Sequence, residues 1–326
     1  MATTHILINQ TVLTRFAALV AKGRLAHAYL WMGPENVGKG ETALAVAKLL
    51  NCAQGLQDSL FCDRCPSCVK INRRSHPDVH WIDNDNGESI KIEQIRQLVC
   101  AMQLKPYEAQ KKIFIIRNVE NLTLEGSNAL LKTLEEPTLS SLLLLTTVAP
   151  EKILDTVRSR CHAVYFSPLS NRKLVSSLIT DYAMEENSAR FLAHFSQGCL
   201  GKAQEMHADK MIQKKNEIID QVLYTPHSEP YFKKVLSDKI QTKQMLDVLL
   251  SWARDLILVK RGLEIQYLMH RDRIDDLRTF QKNLSFEELT NFYGEIIKTM
   301  KLFLDGFNIK MSLLLIKERV WERSYK

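Results

Sequence analysis

Tyr29-Leu-Trp-Met-Gly33-Pro-Glu-Asn-Val-Gly38-Lys39-Gly40-Glu-Thr42 is the stretch on which the fold of this chain turns. A short apolar run leads into a Gly-rich turn. A helical pattern then follows through Ala43, Leu44, Val46, Ala47, Leu49 and Leu50. Strand, glycine turn and helix in that order form a phosphate-binding loop, written G-x-x-x-x-G-K-[ST]. Gly33 and Gly38 let the backbone turn its N–H groups inward, the helix start adds its positive dipole end, and Lys39 adds a charge for outer phosphates. The pattern holds up to the lysine. The next position should offer a Ser or Thr hydroxyl to Mg²⁺, and here it is Gly40. The loop has the shape of a nucleotide cradle and lacks one part of the chemistry.

Outward from the loop, residues 6–28 read as an amphipathic helix carrying Val12, Phe16, Leu19 and Val20, running into Leu25-Ala-His27-Ala28. Downstream come Cys52 and then Cys62-Asp-Arg-Cys65-Pro-Ser-Cys68, spaced C-x9-C-x2-C-x2-C. A C-x2-C turn places two thiolates about one metal, and tetrahedral zinc takes four such soft ligands. The spacing favours structural zinc on Cys52, Cys62, Cys65 and Cys68 over an iron–sulfur cluster or a set of reduced buried thiols. His76, in His76-Pro-Asp78, reads as a turn residue, not a fifth candidate ligand.

Val79–Ile82 is a short strand, and a helix opens over 90–98. Lys111–Ile116 is a near-continuous apolar run suited to a central parallel strand. In a phosphate-loop ATPase that strand ends in carboxylates that hold Mg²⁺ and position water. Here Arg117 and Asn118 follow, and Glu120 falls three residues on, where it is expected to point elsewhere. A helix through Asn128 ends at Glu135-Glu136-Pro137, and strands over 142–147 and 163–166 complete an alternation that predicts a parallel α/β sheet. Beyond Pro168 the strand signal fades. Two or three short helices occupy 169–207. Stripes such as Met245, Leu249, Leu256 and Leu289, Phe292, Ile296 then predict a helical bundle.

Composition sets the outer bounds. The 326 residues allow two or three domains, and 45% hydrophobic with 25% charged content is ordinary for a globular chain. The formal charge of +7 is compatible with an anionic partner and does not demand one. No apolar stretch approaches about 20 residues, which predicts no membrane span. Seven cysteines, an odd number, without a basic and apolar leader at Met1-Ala-Thr-Thr-His5 predict a reducing, cytoplasmic setting. Cys100, Cys161 and Cys199 read as ordinary apolar positions.

His27-Ala28-Tyr29-Leu30, the loop from Gly33 to Lys39, the four cysteines, His76-Pro77-Asp78-Val79, Asn128 to Pro137 and Ser159-Arg160-Cys161 occur in that order. Together they resemble the AAA+ clamp-loader family, and within it the delta-prime type of bacterial DNA polymerase III. The clear resemblance spans about residues 10–205; the tail fits in length and class only.

The resemblance implies an α/β plus all-α chain. Its parts are an AAA+ parallel-sheet domain over 1–167 with an embedded zinc module (52–68), a small helical lid over 168–208, and a helical collar over 209–326. It also implies a place in a five-subunit ring with ATPase subunits and delta, in the DNA replication machinery, with sliding clamp and primer–template DNA as partners of the assembly. By motif match Arg160 is the finger offered to a neighbour's γ-phosphate, since a guanidinium forks onto phosphate oxygens and keeps its charge. With Gly40, Arg117 and Asn118 where metal ligands belong, the expectation is no intrinsic ATP hydrolysis, in a subunit of a DNA-directed DNA polymerase complex. ATP or ADP held uncleaved in its own loop stays open. The alternatives are an active gamma/tau-like ATPase with unusual metal ligation, supported by Gly33, Gly38 and Lys39, and a DNA-binding module on the cysteines beside Arg64, Lys70, Arg73 and Arg74. Taken alone, Arg160 would read as a surface arginine in a salt bridge.

Overall fold

The computed structural model describes residues 8–54, 60–83, 89–225 and 228–324, the last six of these for backbone alone. The chain divides into two compact units, Met1–Ser170 with Gln197–Lys202, and Asn171–Ser196 with Ala203–Lys326.

The first unit is a five-stranded parallel sheet. Its strands are β1 (Ala28–Met32), β2 (Val79–Ile82), β3 (Lys112–Ile116), β4 (Ser141–Thr147) and β5 (His162–Tyr165), in the order β2-β3-β4-β1-β5. Leu30 lies opposite Leu145 on one side and Ala163 on the other, and Ile113 opposite Leu142. β1, β3 and β4 are buried along their whole length, as expected of strands covered on both faces. The period of two sorts their residues into two cores. Tyr29, Trp31, Ile113, Ile115, Leu142 and Leu144 face α1 (Gln10–Ala21) and α2 (Lys39–Asn51). Leu30, Met32, Phe114, Ile116, Leu143 and Leu145 face α4 (Ile92–Gln103), α5 (Leu124–Glu135) and α6 (Asp155–Arg158). The short α3 (Pro66–Asn72) follows the cysteine turn, with Cys65 as its N-cap.

The helix expected over 6–28 is shorter. Asn9 caps its start by accepting from the Val12 N–H, and Gly23, in the left-handed region at φ 62°, follows its end. Residues 6 and 7 lie outside the described residues. The His76-Pro-Asp78 turn is built on a buried carboxylate. Asp78 accepts from the N–H groups of Tyr107, Glu108 and Ala109 at 2.8–3.0 Å, and these bonds hold it below the usual carboxylate range against the opposing effect of burial.

The second unit is all helical: α7 (Asn171–Tyr182), α8 (Glu186–Phe195), α9 (Leu200–Ala208, whose first three residues group with the first unit), α10 (Met211–Ile219), α11 (Glu229–Val235), α12 (Lys239–Lys260), α13 (Ile274–Lys282), α14 (Phe286–Leu304) and α15 (Lys310–Ser324). The apolar stripes read from sequence are its core: Met245, Leu246, Leu249, Trp252 and Leu256 on α12, and Leu289, Phe292 and Ile296 on α14, are buried. Asp238 caps α12, and Ser285 with Glu288 forms a capping box on α14. The α/β plus all-α class expected from the sequence is the class observed. No helix among the described residues is long and apolar enough to cross a membrane.

Candidate functional site

Three strand ends meet the loop that follows β1. Gly33 leaves the sheet with its N–H donated to the Thr147 carbonyl at 3.3 Å. A Cβ at Gly33 would lie 2.4 Å from the Phe166 carbonyl oxygen and 2.9 Å from its Cβ, so only hydrogen fits. The loop closes through Asn36 at φ 56° and Gly38 at φ 93°, and Gly38 starts α2 in the left-handed conformation that a residue without a Cβ adopts freely. Thr42 donates to the Gly38 carbonyl at 2.6 Å and accepts from the Asn9 N–H at 2.9 Å. Its hydroxyl is thus committed to the backbone.

Lys39 is buried, 8% exposed. Its ammonium donates to the carbonyls of Gly33 and Pro34, both at 2.7 Å. Burial brings it down to about 8; the Glu120 carboxylate is the strongest charge opposing this, and Arg117 pushes with burial. Glu120 sits in a 3₁₀ turn over Val119–Asn121, with one carboxylate oxygen accepting from the Val148 N–H at 3.2 Å. The segment 197–202 was not read as part of this site. It belongs to the same unit, and Gly201 donates its N–H to the Asn36 carbonyl at 3.1 Å.

The place beside Gly40 is occupied by side chains. A Cβ there would meet Trp81 Cη2 at 3.6 Å and Arg117 Nε at 3.9 Å. Arg117, at the end of β3, donates to both Asp83 carboxylate oxygens at 3.1 and 2.8 Å. Trp81 Nε1 donates to Asp83 at 2.8 Å, and the Arg74 guanidinium lies 4.3 Å from the Trp81 ring centre. A cation and an indole stand where a phosphate-loop ATPase gathers oxygens for its metal. Sequence reasoning found Arg117 and missed Trp81, Asp83 and Arg74, which reach the site from the end of β2 and the turn before it.

Cys52, Cys62, Cys65 and Cys68 come together. Their four sulfurs lie within 4.8 Å of one another. Cys52 and Cys62 are 3.6 Å apart, and the N–H groups of Cys65 and Cys68 point at the sulfurs of Cys62 and Cys65 at 3.3 and 3.5 Å. Tetrahedral ligation with metal–sulfur bonds near 2.3 Å requires sulfurs about 3.8 Å apart, so the cluster could hold a metal ion such as zinc. The Arg64 N–H, ahead of that of Cys65, draws the Cys62 thiol down to about 6, while burial pushes Cys68 up. Lys48, 2.7 Å from Asp63 and 4.1 Å from the Phe61 ring centre, ties the module to α2. Of the other cysteines, Cys199 is buried and Cys161 half-buried, its thiol pushed up to about 12 by burial. Cys100 is exposed on α4, which corrects its reading as an apolar position.

Arg160 is not part of the loop site. It lies between α6 and β5, about a third exposed. Its Nη1 donates to the Thr156 carbonyl at 2.9 Å, and its Nη2 stands 2.7 Å from Glu135 Oε1. Arg158 pairs with Asp155 at 2.5 Å, within its own short helix.

Residues 8–170 match the family described as DNA polymerase III, delta subunit, and residues 212–319 match its C-terminal counterpart. The chain is 28% identical over 299 residues to the delta-prime subunit of DNA polymerase III from Bacillus subtilis, covering 89% of each. It is 28% identical over 289 residues to the tau subunit of the same organism, covering 79% of this chain and 50% of that protein. Among solved structures, a DNA polymerase III gamma-subunit-related protein from Thermotoga maritima aligns over 96% of this chain and 99% of its own, at 19% identity and a TM-score of 0.47.

Proposed function

The chain belongs to the DNA polymerase III delta-subunit family, and on that premise we propose that it is a clamp-loader subunit of the delta-prime type, one that leaves ATP uncleaved and lends Arg160 to a neighbouring ATPase subunit. The observation that carries the first half is the filling of the Gly40 site by Trp81 and by Arg117 on Asp83. Phosphoryl transfer is catalysed largely by charge placed on the phosphate oxygens, and the metal bridging the β- and γ-oxygens supplies much of it. A chain with no hydroxyl at residue 40 and a guanidinium at the strand end has no place for that ion. What supports the second half is narrower: Arg160 is solvent-accessible within an intact Ser159-Arg160-Cys161 and lies outside its own loop site.

On this reading the AAA+ sheet domain, lid (168–208) and collar (209–326) seat the chain in a ring with ATPase subunits and delta, and the ring places a sliding clamp on primed DNA. The four cysteines hold Zn²⁺ as a structural cross-link, because four thiolates close the coordination sphere and leave no open position. Gly33, Gly38 and Lys39 leave room for a second reading, a nucleotide held but not cleaved, since backbone N–H groups alone can hold phosphate. An active gamma/tau-like ATPase would need a different source of metal ligands.

The test is assembly of the loader with Arg160→Ala in this chain, together with ATPase assay of the chain alone. The expected result is no turnover by the isolated chain and loss of DNA-stimulated turnover by the mutant assembly. Undiminished turnover by that assembly overturns the donor role. Steady Mg²⁺-dependent hydrolysis by the isolated chain, abolished by Lys39→Ala, overturns the first half.

A further inference from the structure

The geometry points to Glu135 as the positioning residue for Arg160; this inference rests on the donor reading above. Two elements of the first unit grip one guanidinium. The Thr156 carbonyl, on α6, takes Nη1 at 2.9 Å, and the Glu135 carboxylate, at the last residue of α5, takes Nη2 at 2.7 Å. Both grips are themselves fixed. Leu134, next to Glu135, and Val157, next to Thr156, are 3% and 1% exposed, and both belong to the same core under the sheet. Pro137 follows the Glu136 C-cap and cannot prolong α5, so Glu135 stays at a helix end.

Two comparisons within the molecule separate this from an incidental surface pair. Arg158, two residues away, bonds inside its own helix, to Asp155 three residues before it. Such a local pair cannot orient a side chain against the rest of the domain. Glu135 also stands at the carboxyl end of α5, where the helix dipole disfavours a negative charge. That placement is explained if the carboxylate answers to the guanidinium across from it. An arginine carries large rotamer freedom, and a long side chain that must meet a phosphate on another subunit loses that freedom at the moment of reaction unless it is already confined. Each grip uses one nitrogen, so each Nη keeps a second N–H and Nε keeps its own for phosphate oxygens. Glu135 touches no reacting atom on this account; it acts through Arg160.

The experiment uses the assembled loader with primed DNA and reads kcat and KM for ATP, alongside the melting temperature of each purified chain. For an exposed pair the expected loss in kcat for Glu135→Ala is about threefold to fivefold, with KM for ATP and melting temperature unchanged. Glu135→Gln keeps an acceptor oxygen for Nη2 and is expected to stay within about twofold of wild type. In the Arg160→Ala background, Glu135→Ala is expected to cost nothing further. Normal turnover in Glu135→Ala, with turnover lost in Arg160→Ala, removes this inference and leaves the donor reading standing. Equal changes in the Ala and Gln variants, or losses that multiply in the double variant, also overturn it. Normal turnover in Arg160→Ala removes both.

Discussion

Gly40→Ser restores the residue that a complete phosphate loop would have, and it is expected to leave the chain inert toward ATP while making it slightly more stable. The nearest atoms to a Cβ at this position are Trp81 Cη2 at 3.6 Å and Arg117 Nε at 3.9 Å, ordinary contact distances, so nothing has to move. Gly40 is the second residue of α2. Replacing glycine by serine in a helix gains about 0.5 kcal/mol, or roughly 1–2 °C in the melting of a unit of this size. The hydroxyl would then face a guanidinium. At an effective dielectric of 20, two unit charges 4 Å apart repel by about 4 kcal/mol, and a divalent ion beside Arg117 doubles that before Asp83 offsets a part. Asp83 is already engaged by Arg117 and by Trp81 Nε1. Calorimetry and a steady-state assay with ATP and Mg²⁺ on the purified variant check both halves. A single Gly40→Ser chain that hydrolyses ATP, with activity lost on adding Lys39→Ala, refutes the claim that the cation at β3 closes the metal site. A melting temperature several degrees below wild type refutes the packing argument.

Metal analysis of the purified chain is expected to give one zinc, and stripping it is expected to lower the melting of the first unit; free metal a thousandfold above Kd contributes about 4 kcal/mol. A metal-free chain with unchanged melting would dispose of the cross-link. Gly33→Ala should destabilise by about 1–3 kcal/mol in denaturant unfolding, because its Cβ would stand 2.4 Å from the Phe166 carbonyl oxygen; wild-type stability would show that β1 and the residue after β5 can part cheaply. In the second unit, burial raises Asp255 to about 6 although the Met269 and His270 N–H groups and Arg254 support its charge. A carboxyl whose folded value is raised is least costly below its unfolded value near 3.8 and most costly above 6. Relative to Asp255→Asn, wild type should therefore lose on the order of 2 kcal/mol between pH 4 and pH 7; a pH-independent difference between the two in chemical denaturation would refute the shift.

What could be read from sequence follows the range over which each feature is encoded. The strand–loop–helix at 28–51, the four cysteines and the apolar stripes of α12 and α14 are local patterns, and each is found in place. The end of α1 was overrun because Leu25 and Ala26 continue an apolar pattern, while the left-handed Gly23 that follows the helix is a single small residue. The surroundings of Gly40 were half visible. Gly40 and Arg117 announce missing ligands, but that Trp81 stands beside Gly40 and Asp83 pairs with Arg117 depends on β2 pairing with β3, a contact across more than thirty residues. The same holds for Asp78, whose turn reads as local although its three N–H donors come from residues 107–109. The bond from Arg160 to Glu135 joins the end of α5 to the turn after α6, with β4 between them in the chain. None of these pairings has a periodicity to betray it.

The loop from Gly33 to Gly38 acts as a structural hub of the first unit. Several of its backbone groups are answered from within the first unit: the Gly33 N–H by Thr147, the Gly33 and Pro34 carbonyls by Lys39, the Asn36 carbonyl by Gly201, and the Gly38 carbonyl by Thr42. Through Thr42 it also holds the Asn9 N–H, at the cap of α1. A lysine buried this deeply is costly unless its donors are satisfied, and here the loop carbonyls satisfy it at the expense of its reach toward a ligand. The parts of a nucleotide site that survive in this chain, two glycines and a lysine, are those the fold itself uses to join β1, α2, β4 and the 197–202 segment. The parts that are gone, the hydroxyl at residue 40 and the carboxylates after β3, would have served the metal and the attacking water. That division is the one the proposed function calls for, a chain that keeps the shape of an ATPase subunit while leaving the hydrolysis to a neighbour.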